Sequence, residues 1–171
     1  INYYLHEASV VAAKWLEPRL KRLDPRNWWD TAVMSKLSTL QYNTLQDNQI
    51  TTLEGLDLAA LLRVMRNNWY ALGNLEWLPS YEKDSIYRMQ KVRVTWAHLP
   101  TTLPPKNQIL ADIGSCVDFF TNFGAQQELI ERAKKYRIAF SKGDISVQST
   151  PVIEPAPQSG SGICNNQPAQ K

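Results

Sequence analysis

The sequence has little of what metal and redox sites are built from, with two histidines and two cysteines in 171 residues. They lie too far apart for a zinc pattern to be assembled from them. Cys116 falls in an apolar helical stretch and Cys164 in a Gly/Ser/Pro/Asn-rich one, which argues against a structural disulfide and for a reducing compartment. Long apolar runs are missing as well. The opening INYYLHEASVVAAKWLEPRL is interrupted by Glu7, Lys14 and Glu17, so it has neither the basic start and apolar core of a signal peptide nor the length of a membrane span. The protein therefore reads as cytoplasmic, with no membrane partner. Charge is not in large excess: a formal net +3 permits an anionic partner without demanding one, because dedicated nucleic-acid binders carry a stronger and more clustered bias. No alternating strand pattern precedes the C-terminal stretch, and no internal repeat is present. Ile1 stands where a complete chain would carry methionine, so a piece of a longer protein is expected.

What is present is apolar helical periodicity. Apolar residues make up 43% of the chain, and six tryptophans, seven tyrosines and four phenylalanines promise an aromatic core. No aromatic residue follows Phe140, so the core should end near there. The fold class expected is an all-α bundle of four to five main helices plus short ones, over residues 1–143. Residues 144–171, which hold four prolines and few charges, read as a disordered Pro/Ser/Gly-rich tail or linker.

The spacing predicts a first helix over Tyr3–Glu17, with Leu5, Ala8, Val11, Ala12 and Trp15 on one face and Pro18 either kinking it or opening a continuation to Leu23. A second should start near Trp28 with Asn27 as its cap and Trp29, Val33 and Leu37 as its apolar row. A short helix is expected within STLQYNTLQDNQITT. The clearest helix is LEGLDLAALLRVMRNNWYALG, capped by Thr51 or Thr52 and closed by an αL Gly73. Pro79 and Ser80 then open a long helix that buries Ser85, Met89, Val92 and Trp96 and stops before Pro100, which puts His98 in its last turn. Lys106–Phe123 and about Gln126–Phe140 complete the bundle.

That long helix ends in KVRVTWAHLP, where Arg93 precedes His98 by five residues. Arginine and histidine together can cleave a phosphodiester without metal or cofactor, since imidazole moves protons near neutral pH and guanidinium binds the phosphate and its developing charge. RNA suits this pair because its 2′-OH is an internal nucleophile that a base can activate. On an ideal helix the two residues point about 140° apart. They converge only if the helix end frays or if each works with a second copy of the motif. The plainer reading is a solvated arginine and a C-terminal helix cap.

The stretch NWWDTAVMSKLSTLQ, then TTLEGLDLAALLRVMRNNWYALGNLEWLP, then MQKVRVTWAHLP resembles the HEPN superfamily (higher eukaryotes and prokaryotes nucleotide-binding). It is nearest to the variety shared by a eukaryotic transcription-associated endoribonuclease and many bacterial multidomain proteins. The resemblance covers about residues 27–123, and LDLAALLRVMRNNWY is its most distinctive part. It implies a helical bundle that forms a homodimer, with RVTWAH as the catalytic R-x4-6-H motif and Arg93 and His98 at a composite, metal-independent ribonuclease cleft. His98 would assist activation of the 2′-OH or protonation of the leaving 5′-oxygen, and Arg93 would hold the scissile phosphate. A role in bacterial defence or stress response, with further domains of a larger system joined through the tail, is what the resemblance suggests. Val94 stands where many members carry a polar residue, a feature that favours a non-catalytic dimerisation or docking module. Pro100 replaces the tyrosine that is nucleotidylated in certain HEPN toxins, which disfavours that toxin–antitoxin arrangement.

Lys83, Arg88, Lys91 and Thr95 are the remaining candidates for substrate contact along the same helix; a solvated basic face is the alternative for the three cations. Trp28, Trp29 and Trp96 read as packing aromatics before base-stacking ones. Arg63 and Arg66 are expected at the edge of an apolar face, meeting acids of neighbouring helices. Asn67 and Asn68 are weaker candidates for orienting substrate, and His6 reads as structural or exposed.

Overall fold

The computed structural model describes residues 1–99 and 102–144. Pro100 as a helix stop, Cys164 and nearly all of the expected tail lie outside the described residues. Among those described the chain is all-helical. Five long helices, α1 (Asn2–Leu23), α3 (Leu58–Gly73), α4 (Ser80–Ala97), α5 (Lys106–Asn122) and α6 (Gln127–Lys142), are joined by the shorter α2 (Thr39–Asp47). Helix α1 packs against α3 and α5, α4 packs against both α3 and α5, and α6 covers the far side of α5.

Large aromatic side chains hold these helices together. Trp15 of α1 stacks on Trp69 of α3 with ring centroids 6.3 Å apart and meets Phe123, just past α5, edge-on at 5.2 Å. At the other end Tyr4 contacts Phe120 of α5 at 6.1 Å and Tyr136 of α6 at 5.9 Å. The expected stripe of α4, Ser85, Met89, Val92 and Trp96, is buried as a set. Helix α1 runs through Pro18 to Leu23. Helix α6 is closed by Gly143 at φ 85°, with the Asp144 N–H returning to the Ala139 carbonyl at 3.0 Å, as an αL cap requires.

Three local expectations are corrected. The segment after Trp28 is a π-helical turn (Trp29–Val33) followed by a 3₁₀ turn (Met34–Lys36), not a regular helix capped by Asn27. The turn before it is braced by Asp24, whose carboxylate accepts from the Arg26 and Asn27 N–H groups and the Thr31 hydroxyl. The winding changes where α3 side chains take over the segment's carbonyls: Asn68 Nδ2 donates to Ala32 at 2.8 Å, and Arg63 Nε and Asn67 Nδ2 both donate to Lys36. Secondly, α3 starts at Leu58 with the Asp57 carboxylate accepting from the Ala60 N–H at 2.8 Å, while Thr52 precedes only a 3₁₀ turn, Leu53–Gly55. Thirdly, Gly73 is the last residue of α3 and has no positive φ, because the chain continues through an αR Asn74.

Candidate functional site

Arg93 lies within helix α4 and His98 just past its end. Arg93 lies toward the start of α3, where its Nη2 donates to Asp57 Oδ2 at 3.4 Å, a long and therefore weak contact. The side chain is about a third exposed, at 32%. His98 is the first residue past the helix, with φ −122° and ψ 37°. Its exposed side chain makes no hydrogen bond or ion pair among the described residues. It is thus a C-cap residue and not part of the last helical turn. The chain turns out of helical geometry there, and among the described residues Arg93 and His98 share no hydrogen-bond partner.

The end of α4 is nonetheless held firmly. Trp96 Nε1 donates to Asp112 Oδ2 at 2.8 Å, and Gln108 Nε2 donates to the other carboxylate oxygen at 2.7 Å. Trp96 is therefore a packing residue, as its place on the buried stripe implied, with its indole N–H anchored to α5. Asp112, 4% exposed, was missed from the sequence. It stands on the apolar stripe of Ile109, Ile113, Cys116 and Phe120, and a carboxylate on such a stripe must find donors, which was the signal to follow. We expect Asp112→Ala to destabilise the fold by about 1–3 kcal/mol in a denaturant titration, since the indole N–H is left buried and unpaired. Asp112→Asn keeps an acceptor and should lose less.

The other candidates separate along α4. Lys83 donates to Tyr70 Oη at 2.8 Å and Arg88 pairs with Asp118 of α5 at 3.3 Å. Lys91 is exposed and Thr95 half-buried. Tyr87, Lys91 and Val94 recur at helical spacing on the outward face, where Tyr87 is 41% and Val94 47% exposed. Arg66 meets Gln90 at 3.4 Å, and Arg63 meets the Lys36 carbonyl at 3.2 Å, so the acidic partners expected for these arginines are replaced by neutral oxygens. Asn68 is buried and bonded to the Ala32 and Val64 carbonyls, which removes it from substrate contact. His6 is exposed. Trp28 and Trp29 are half-buried and meet each other edge-on at 5.6 Å.

Arg93 also closes one side of a groove of about 430 Å³ between α2 and the beginning of α3. Leu40, Leu45, Ile50 and Ala60 give it an apolar lining, and Arg63, Arg93 and Asp57 its charges. Gly55 lets Ile50 lie close, because a Cβ at that position would sit 2.6 Å from Ile50 Cγ2. Cys116, the one cysteine among the described residues, is fully buried and its thiol is pushed up to about 12 by that burial, which makes it inert as a nucleophile in the folded protein. No three His, Cys, Asp or Glu side chains converge in a metal-holding group among the described residues, and no described helix is long and apolar enough to cross a membrane. No family model, curated protein or solved structure matches this chain.

Proposed function

We propose that the chain is a metal-independent endoribonuclease domain of the HEPN kind, acting as a homodimer in the cytoplasm within a bacterial defence or stress response. The observation that supports it most is the end of α4. An exposed imidazole without a partner among the described residues follows a guanidinium tethered by a 3.4 Å contact, on a helix end fastened to α5 through Trp96 and Asp112. Such a pair is open to an incoming substrate, and because its two members share no partner among the described residues, the site we propose is completed by a second copy. Tyr87 and Val94 on the outward face of α4 offer that copy an apolar contact surface.

The chemistry needs no external nucleophile. His98 takes the proton of the ribose 2′-OH as the 2′-oxygen bonds to phosphorus, or gives a proton to the 5′-oxygen as the P–O5′ bond breaks. Arg93 binds the non-bridging phosphate oxygens and offsets the charge that builds on them. The products are a 2′,3′-cyclic phosphate and a 5′-hydroxyl. Incubating the full chain with single-stranded RNA in EDTA tests the reading: cleavage with those ends supports it, and intact RNA sinks it. A chain that sediments as a strict monomer while cleaving RNA would overturn the two-copy site. A dimer that leaves RNA intact would favour the docking reading, which exposed Val94 supports.

A further inference from the structure

We propose that the groove between α2 and the start of α3 is a substrate subsite, in which Arg63 holds the phosphate next to the one held by Arg93 and the intervening nucleoside of a single-stranded RNA lies over Leu40 and Ile50. The inference rests on the RNA-cleaving reading and adds where the strand runs.

Size, charge and apolar surface agree on this occupant. A volume of about 430 Å³ lies within the roughly 300–1,000 Å³ usual for small-ligand sites, enough for a nucleotide unit and too little for a folded partner. The groove sets two guanidiniums against one carboxylate, which favours an anionic occupant over a neutral peptide. Both arginines are positioned without being used up. Arg63 spends its Nε on the Lys36 carbonyl at 3.2 Å, which aims the side chain and leaves its terminal nitrogens uncommitted among the described residues. Arg93 spends one terminal nitrogen on the long contact to Asp57. Asp57 is itself fixed by its other oxygen at the α3 cap, so it stays in place when Arg93 turns to a phosphate. Leu40 is 77% exposed at the edge of the groove, where an apolar side chain gains most by covering a base. The hydroxyls nearby are already committed, Ser38 to the α2 capping box and Thr44 to the Leu40 carbonyl. Recognition here is therefore chiefly of phosphate and base surface, with the Gln41 amide as a lining group that can reach a base edge.

The experiment is fluorescence anisotropy of the full chain with a short 2′-O-methyl RNA, which binds but cannot be cleaved, across a salt series. Arg63→Ala should weaken binding roughly tenfold and reduce the slope of log K against log salt by about 0.7, the loss of one phosphate contact on a single strand. Arg63→Lys should keep the slope, which separates lost charge from a disturbed fold. Leu40→Ser, on an exposed side chain, should weaken binding several-fold with the slope unchanged. If Arg63→Ala matches wild type in affinity and slope while wild-type chain cleaves RNA and His98→Ala does not, the subsite is wrong and the nuclease reading stands. If wild type neither binds nor cleaves RNA, both fall. Groove variants that change sedimentation but not RNA affinity would assign the groove to contact between copies and overturn the subsite.

Discussion

His98→Ala should slow RNA cleavage by about 10²–10⁴-fold, the usual contribution of a positioned general acid or base, while leaving affinity for uncleavable RNA nearly unchanged. The split follows from geometry. His98 is an exposed residue past the end of α4, with no contact among the described residues whose loss would disturb the fold. Its removal therefore reports on chemistry alone. Arg93→Ala should differ in kind, lowering both affinity and rate, because a guanidinium on the phosphate acts before and during the reaction. Arg93→Lys should restore affinity better than rate, since an ammonium replaces the charge but not the two-pronged fork. Mixing the His98→Ala and Arg93→Ala proteins then tests the two-copy site. A site taking its arginine from one copy and its histidine from the other regains part of the activity in the mixed dimer, whereas a site contained in one chain regains none. Equal cleavage by His98→Ala and wild type would end the catalytic assignment.

Much of the bundle was legible because its helices obey one rule, burial of residues three and four apart. Ser85, Met89, Val92 and Trp96 are buried as the spacing requires, and Gly124 and Gly143 adopt positive φ where helices stop. Periodicity failed where side chains from elsewhere in the chain bind backbone. The π-helical turn at Trp29–Val33 accompanies α3 amides and guanidinium reaching the Ala32 and Lys36 carbonyls from positions 63–68, a long-range cause that no local window contains. The cap of α3 was legible and misplaced, since Asp57 directly before LAALL is the stronger signal than Thr52. The site divides in the same way. Arg93 and His98 stand out as residues, but that Arg93 meets Asp57 and that His98 lies just beyond α4 depends on where α3 and α4 start and stop. The groove draws on four separate segments, from Ser38 to Arg93, and only folding assembles it.

Trp69→Ala should cost about 3–5 kcal/mol, the range for truncating a large buried aromatic, and lower the thermal midpoint by about 2–4 °C per kcal/mol for a chain of this size. The neighbouring Tyr70→Ala should leave the midpoint almost where it was. Adjacent aromatics on one helix part so sharply because Trp69 is 5% exposed and stacked on Trp15, while Tyr70 is 76% exposed with its hydroxyl and ring facing Lys83. The loss at Trp69 extends beyond its own volume. Trp15 also meets Phe123 edge-on, and Arg19 lies 4.2 Å over its ring, so a cavity beside Trp15 loosens the joint of α1, α3 and α5 together. Because α3 carries Asp57 and Arg63 at its other end, Trp69→Ala at a temperature where the protein stays folded should weaken RNA binding little, which separates the scaffold from the groove. A large loss of affinity without unfolding would mean that the aromatic joint also sets the position of the arginines.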